Sequence, residues 1–437
     1  MRLVLSVVCL SIVCITPLPA FADDVIPADP PLRWWRGNIH THTFWSDGDD
    51  FPEMIAEWYR THGYNFLALS DHNILSEGVR FMPYTQILRR GGQAAMDKYL
   101  ARFGTDWVET RGEPGAADYA VRLKPLNEFR ALVEQRGKFI MIQGEEISDS
   151  AEGRPVHLNA TNLKQLIQPL GGSNVREVMA ANIRAVKEQA ERTGRQIIVH
   201  LNHPNFGLAV TAEDLAAVVS ERYFEVYNGH PGVKQLGDAE HPSVERLWDI
   251  ANTIRLGQLK ATPLYGVATD DSHNYHGKPG SRTGRGWIVV RAKHLTPDSL
   301  IRSLRRGEFY ASSGVTLREV NYDAASGQLS LEIEPEGGAR FTTQFIGTLA
   351  KYDDSSEPRT DKNGDPLRAT RKYSPEVGKV LAIDEGLKPT YKLTGQELYV
   401  RGVVTSSLPH RDPSFSGQKQ QAWTQPVGWT VEGMSNE

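Results

Sequence analysis

Residues 196–204 carry the pattern that most constrains what this chain can fold into. Ile197-Ile198-Val199 is an apolar run of strand length, and it gives way to His200, Asn202 and His203 at its C-terminal end. The same change from apolar to polar occurs in residues 65–73, which run into Asp71-His72, and in 138–147, which end on Glu145-Glu146. It occurs again in 223–228, before Asn228 and His230, and in 264–273, which close on Asp270-Asp271-Ser272-His273. Helical patterns lie among these runs at 52–62, 174–192 and 242–256. Apolar strands alternating with helices predict a parallel α/β sheet or barrel. Barrel enzymes build their sites where such strands end, so the polar residues collect in the position of a site.

The rest of the chain falls around this core. Residues 1–22 read as an export signal, with Arg2, an apolar run over 3–18 and the cleavage pattern Ala20-Phe21-Ala22. That predicts a periplasmic or secreted protein with no stable membrane insertion once the signal is cleaved. Both cysteines, Cys9 and Cys14, lie inside the signal, so the mature chain has only nitrogen and oxygen donors for a metal. The barrel is expected over 23–314, with a helical insertion at about 74–137. From 315 to 437 short alternating runs are separated by Gly, Pro, Asp and Asn, which predicts a small antiparallel β-domain. A formal charge of −4 gives no long-range attraction for nucleic acid.

Chemistry begins at His40-Thr41-His42. On a strand over 38–44 the two imidazoles would share one face, about 7 Å apart, with Asp47 in the turn beyond. Collected from the strand ends, the metal-ligand candidates are His40, His42, Asp47, His72, Glu146, His157, His203, Asp271 and His273. Nine such ligands are too many for one zinc and suit two or three divalent ions sharing carboxylates, with zinc, manganese and iron all compatible. Strand alternation lets only one of Glu145 and Glu146 face inward, and Asp270 competes in the same way with Asp271.

The ordered set His40-x-His42, Ser46-Asp47-Gly48, Ser70-Asp71-His72, Gly144-x-Glu146, His157, His203-Pro204 and Asp271-x-His273 resembles the PHP (polymerase and histidinol phosphatase) superfamily. The resemblance covers residues 36–314 and implies a distorted (β/α)7 barrel, an α/β fold, with a trinuclear metal centre at its C-terminal face. It implies His40, His42 and Asp271 on one metal, Glu146, His157 and His203 on a second with Glu146 bridging, and Asp47, His72 and His273 on a third. Residues 284–314 and the tail with Ala422-Trp423-Thr424-Gln425-Pro426 are similar to an exported, carbaryl-hydrolase-like branch.

The function expected is a metal-dependent hydrolase, a phosphoesterase acting on a small molecule through a metal-activated hydroxide. Hydrolysis of a carbamate, ester or amide on the same centre is the alternative, and a metal- or ligand-binding protein without turnover is a third reading. Asp71 and His230 are the candidate proton-transfer residues, with His200 behind them. Arg154, Asn228 and Arg282 are the candidate substrate contacts, and Lys278 and Arg285 add cations nearby that would clamp a phosphate. Each is equally readable as an ordinary surface or turn residue. Phe44, Trp34, Trp35 and Trp45 could line an apolar pocket or belong to the core.

Overall fold

The computed structural model describes residues 29–431. The export-signal expectation falls on residues 1–22, outside the described residues. Contacts divide the chain at Pro31, and everything from Leu32 onward forms one compact unit.

Thirteen strands make the main sheet, numbered here in chain order. The first four are β1 (Arg33–Asn38), β2 (Phe66–Leu69), β3 (Ile140–Ala151) and β4 (Arg154–Thr161). Next come β5 (Ile198–Leu201), β6 (Tyr223–Asn228), β7 (Tyr265–Thr269), β8 (Trp287–Ala292) and β9 (Phe309–Ser312). The last are β10 (Phe341–Leu349), β11 (Lys379–Glu385), β12 (Glu397–Pro409) and β13 (Lys419–Thr424). Their order across the sheet is β7-β6-β5-β4-β3-β2-β1-β8-β9-β13-β12-β10-β11.

Strands β2, β5, β6 and β7 are buried at every residue. Continuous apolar runs covered on both faces read this way. The pairs β1/β2, β2/β3, β5/β6 and β6/β7 are parallel, as alternation with helices predicts. Strand β4 departs from that pattern and runs antiparallel to both β3 and β5. Only Glu152 and Gly153, at φ 53° and 72°, separate β3 from β4. A two-residue turn of that hand makes a hairpin and is too short for a crossover. Beyond the strands, Thr41 after β1 bridges Ser272 after β7, and His42 N–H donates to Ser272 O at 2.9 Å.

Helix α1 (Pro52–Thr61) starts on a proline, whose missing N–H costs nothing at that position. The insertion holds α2 (Tyr84–Arg90), α3 (Gly92–Phe103) and α4 (Leu126–Val133). It is not purely helical as expected, because Arg80–Pro83, Ala120–Leu123 and Thr110–Arg111 form an antiparallel sheet of their own. This subdomain encloses Phe44, Trp45 and Phe51 in a core with Met82, Met96 and Tyr99. Trp35 is buried too and donates to Ala292 O, so three of the four aromatic pocket candidates are core residues. Helix α5 (Val175–Thr193) is capped by Asn174, whose side chain accepts from Glu177 N–H.

The tail is antiparallel, but its strands do not stand apart. β9 pairs with β13, and β12 and β10 extend the same sheet. Arg401 of β12 is fully buried and grips Asp249 with two hydrogen bonds, Nε to Oδ1 at 2.8 Å and an η-nitrogen to Oδ2 at 2.7 Å. Asp249 belongs to the helix Val244–Thr253, so a buried ion pair ties the tail to the α/β part. Removing one partner of such a pair strands the other charge. Arg401→Ala is expected to destabilise the fold by about 3–5 kcal/mol. Chemical denaturation would measure this, and an unchanged midpoint would show the tail to be independent.

Candidate metal centre

The ligand candidates stand just past the strands more often than on them. β1 ends at Asn38, shorter than the strand expected over 38–44, so His40 and His42 occupy a segment held by the Thr41–Ser272 bridge. Their rings nevertheless lie 5.1 Å apart. His72 follows β2, His203 follows β5, and Asp271 and His273 follow β7. Only Glu146 and His157 are on strands, inside the β3–β4 hairpin. His203 and Asp271 have φ of 23° and 48°, a left-handed backbone that non-glycine residues rarely adopt and that clusters at functional sites.

All nine candidates converge. Glu146 Oε2 lies 3.5 and 3.2 Å from Nε2 of His40 and His42, and 2.8 Å from Nδ1 of His72. Its Oε1 lies 3.0 Å from His157 Nδ1 and 3.5 Å from His203 Nε2. Asp271 Oδ1 is 3.2 Å from Nε2 of both His40 and His42. Asp47, at the exposed mouth, reaches His273 at 3.3 Å and His72 at 3.5 Å. Four overlapping sets could each surround an ion: His42, Asp47, His72 and His273; His40, His42 and Glu146; His72, Glu146 and His157; and, behind them, His40, His200 and Glu225.

The donor set fits hard or borderline divalent cations. Nε2 of His40, Nε2 of His42 and Oε2 of Glu146 are buried without a hydrogen-bond partner. Buried polar atoms are ordinarily satisfied, and these three point at one another across a space that a cation would satisfy. The charges agree. Burial alone would raise the Glu146 carboxyl, yet the imidazoles of His72, His40 and His157 hold it well below its usual range. Asp271 is held down in the same way, against burial, by His40, His42 and His273. Burial would lower His40, but Asp271, Glu225 and Glu146 raise it well above the ordinary imidazole value. Cations are what these carboxylates attract, and protons answer that need when no metal does.

The two paired alternatives separate cleanly. Glu145 turns to the opposite side, accepts from Ile167 N–H at 2.9 Å, and is pushed by burial up to about 8. Asp270 accepts from the N–H groups of Gly284, Arg285 and Gly286 and from the Tyr59 hydroxyl, which fixes the loop after β7. Asp271 alone of that pair faces the cluster.

A supporting layer holds the ligands. Glu225, the one charged residue in β6, was not among the sequence candidates. It is fully buried, and its Oε1 meets His40 Nδ1 at 2.6 Å and the Thr269 hydroxyl at 2.6 Å. Its Oε2 accepts from His203 N–H and from Asn228, both at 2.7 Å. Asn202 donates to Glu146 Oε1 at 2.8 Å, and Ser148 Oγ meets His72 Nδ1 at 2.5 Å. Arg90 of the insertion donates to the carbonyls of Thr43 and Gly48, clamping the turn that carries Asp47.

The catalytic and substrate candidates divide. Asp71 accepts from Thr43 and Ser46, at both their N–H and hydroxyl groups, and so builds the Asp47 turn. His230 is 5.9 Å from His273 ring to ring. Its Nδ1 accepts from Gly232 N–H, which leaves the proton of the neutral ring on Nε2. Burial lowers its pKa and keeps that ring neutral. His200 is wholly enclosed, with neither ring nitrogen hydrogen-bonded, and is shut off from any leaving group.

Asn228 commits both donors to Glu225 and Asp271 and its oxygen to His230 N–H, which makes it an orienting residue. Arg282 pairs with Asp412 of the tail. Arg285 pairs with Asp412 too and donates to the carbonyls of Gly229 and Gly280. Lys278 donates to Arg90 O. Arg154 shares strand parity with the core residues Val156 and Leu158, which places it on the face opposite His157.

No protein-family model and no curated protein matches the chain. Solved structures do. A two-domain protein from Bacteroides vulgatus containing a predicted PHP-like metal-dependent phosphoesterase is 16% identical, covering 84% of this chain and 98% of its own, with a TM-score of 0.38. A protein from Bifidobacterium adolescentis provisionally named a metal-dependent phosphoesterase is also 16% identical, covering 63% and 96%, with a TM-score of 0.30. An amidohydrolase from Chromobacterium violaceum, with bound sulfate and no metal, is 14% identical over 56% and 90%, with a TM-score of 0.27.

Proposed function

We propose that this protein is a metal-dependent hydrolase of the PHP type, a phosphoesterase acting on small molecules. The observation that carries the reading is the convergence of six imidazoles on two buried carboxylates and one exposed one, with unpartnered Nε2 and Oε2 atoms at its centre. A (β/α)7 barrel running from β1 to β7 belongs to the same reading, supported by the bridge between Thr41 and Ser272. So does export, on the pattern of residues 1–22.

His40, His42, Glu146 and Asp271 would hold one ion, with Glu146 shared towards His157 and His203. Asp47, His72 and His273 would hold another. Two or three divalent ions there would supply a hydrolytic nucleophile at neutral pH and Lewis acidity for a phosphoryl oxygen. The chain's own residues do the rest. Glu225 turns His40 so that Nε2 faces the cluster, and the Asp271 carbonyl, 2.8 Å from His273 Nδ1, turns Nε2 of that ring towards Asp47. His230, neutral with its proton on Nε2, would donate a hydrogen bond to a substrate or leaving-group oxygen, with the proton for the leaving group coming from solvent. Phe44, Trp45 and Trp35 are buried in the core, so of the four aromatic pocket candidates Trp34 alone is left to line an apolar pocket.

The test is turnover by protein reconstituted separately with zinc, manganese and iron. Hydrolysis of p-nitrophenyl phosphate supports the proposal. Hydrolysis of naphthyl carbamates alone would move the activity to the other bond type, and metal binding without turnover of either would leave a binding protein.

A further inference from the structure

A cavity of about 500 Å³ opens away from the metal centre. Its wall includes Ile198 and Tyr223, the first residues of β5 and β6, together with Val186 and Ala190 of α5. His203 and Asn228 lie at the opposite ends of those same two strands. The cavity therefore sits at the N-terminal end of the sheet, while the proposed chemistry sits at the C-terminal end.

Four cations line it, Lys187, Arg195, Arg222 and Arg305, against one exposed acid, Glu191. Among the described residues, none of the four has a carboxylate within 4.0 Å. Their partners are neutral. Lys187 donates to Ser220 O, Arg195 to Leu163 O and Asn162 Oδ1, and Arg305 to Gln196 Oε1 and Ile197 O. Arg222 lies 5.4 Å from the Tyr265 ring, and its Nε is buried with no hydrogen-bond partner. The buried carboxyl of Glu221 lies near Arg255 and Lys187, accepts from the backbone N–H groups of Arg222 and Tyr223, and is pushed by burial up to about 7. Even with Glu221 and Glu191 both charged, the four cations remain in excess.

Like charges gathered around one hollow repel each other unless something answers them. The volume is that of a small-molecule site, and its apolar wall would cover an organic body. We infer that this cavity is a second binding site, for a small organic anion bearing at least two negative charges on phosphate or polycarboxylate oxygens. Guanidinium groups suit such oxyanions because they donate in a planar fork. The inference stands on the cavity alone and is independent of the phosphoesterase reading.

Isothermal titration of the chelator-treated full chain with pyrophosphate and with citrate tests it. The expected result is saturable binding of at least one of them at one site per chain, weaker at high salt. Binding should fall about tenfold or more, ~1.4 kcal/mol, in the double variant Lys187→Gln/Arg222→Gln. The same loss is expected in Ala190→Trp, which fills the hollow and keeps every charge, so the test survives if one variant fails to fold. His203→Ala should bind as the parent does. Preference for pyrophosphate over citrate assigns phosphate chemistry, and the reverse assigns carboxylates. Absence of saturable binding, or binding lost in His203→Ala and kept in the cavity variants, would overturn the inference.

Discussion

Glu146→Gln is expected to abolish turnover, lowering kcat/KM on the order of 10³-fold or more, ~4 kcal/mol of barrier. The amide matches the carboxylate in shape but brings no charge. Five imidazoles lie within 3.5 Å of the Glu146 oxygens, so a single atom exchange reaches both proposed ion environments, that of Asp47 and His273 through His72. Asn202 and the β3–β4 pairing keep the side chain in place, so the fold should persist by circular dichroism. Elemental analysis of the purified variant should find less bound metal than in the parent. Normal metal content together with normal turnover would remove the metal centre from the proposal.

The second large effect is expected at Glu225, which touches no substrate. Glu225→Ala should weaken metal binding about 10–100-fold, the usual consequence of losing the group that orients a metal-ligating histidine. His40 would lose its 2.6 Å partner on Nδ1, and its Nε2 would no longer be aimed. Competition with a chelator measures the affinity without relying on activity. Glu225→Gln offers His40 Nδ1–H an acceptor of the same reach, so it should recover part of the loss. Equal losses in both variants would mean that charge or fold, and not orientation, is what Glu225 provides.

The ligand set was legible because its members come in spaced groups at the ends of apolar runs. His40-x-His42, Asp71-His72 and Asp271-x-His273 announce themselves by local pattern. Glu225 did carry a signal, since a lone carboxylate in the apolar run Phe224-Glu225-Val226-Tyr227 must find a buried partner. The cations were not legible. Arg282 and Arg285 read as free to meet substrate, but their partner, Asp412, stands more than 120 residues further along the chain. Arg90 lies inside the insertion, where no local pattern marks it, yet its reach to Thr43 and Gly48 clamps the turn bearing Asp47.

By itself the sequence determined the alternation of strands and helices, the places where polar residues replace apolar ones, and the absence of any cysteine after Cys14. These follow from local periodicity and residue type, which act over a few positions. Only the tertiary structure decided that Glu146 and Asp271 face inward while Glu145 and Asp270 brace the opposite side. It alone reversed β4 and carried the tail strands onto the main sheet. Those outcomes depend on which groups meet across distant parts of the chain, where the burial of a charge is tolerable only if its partner arrives from elsewhere.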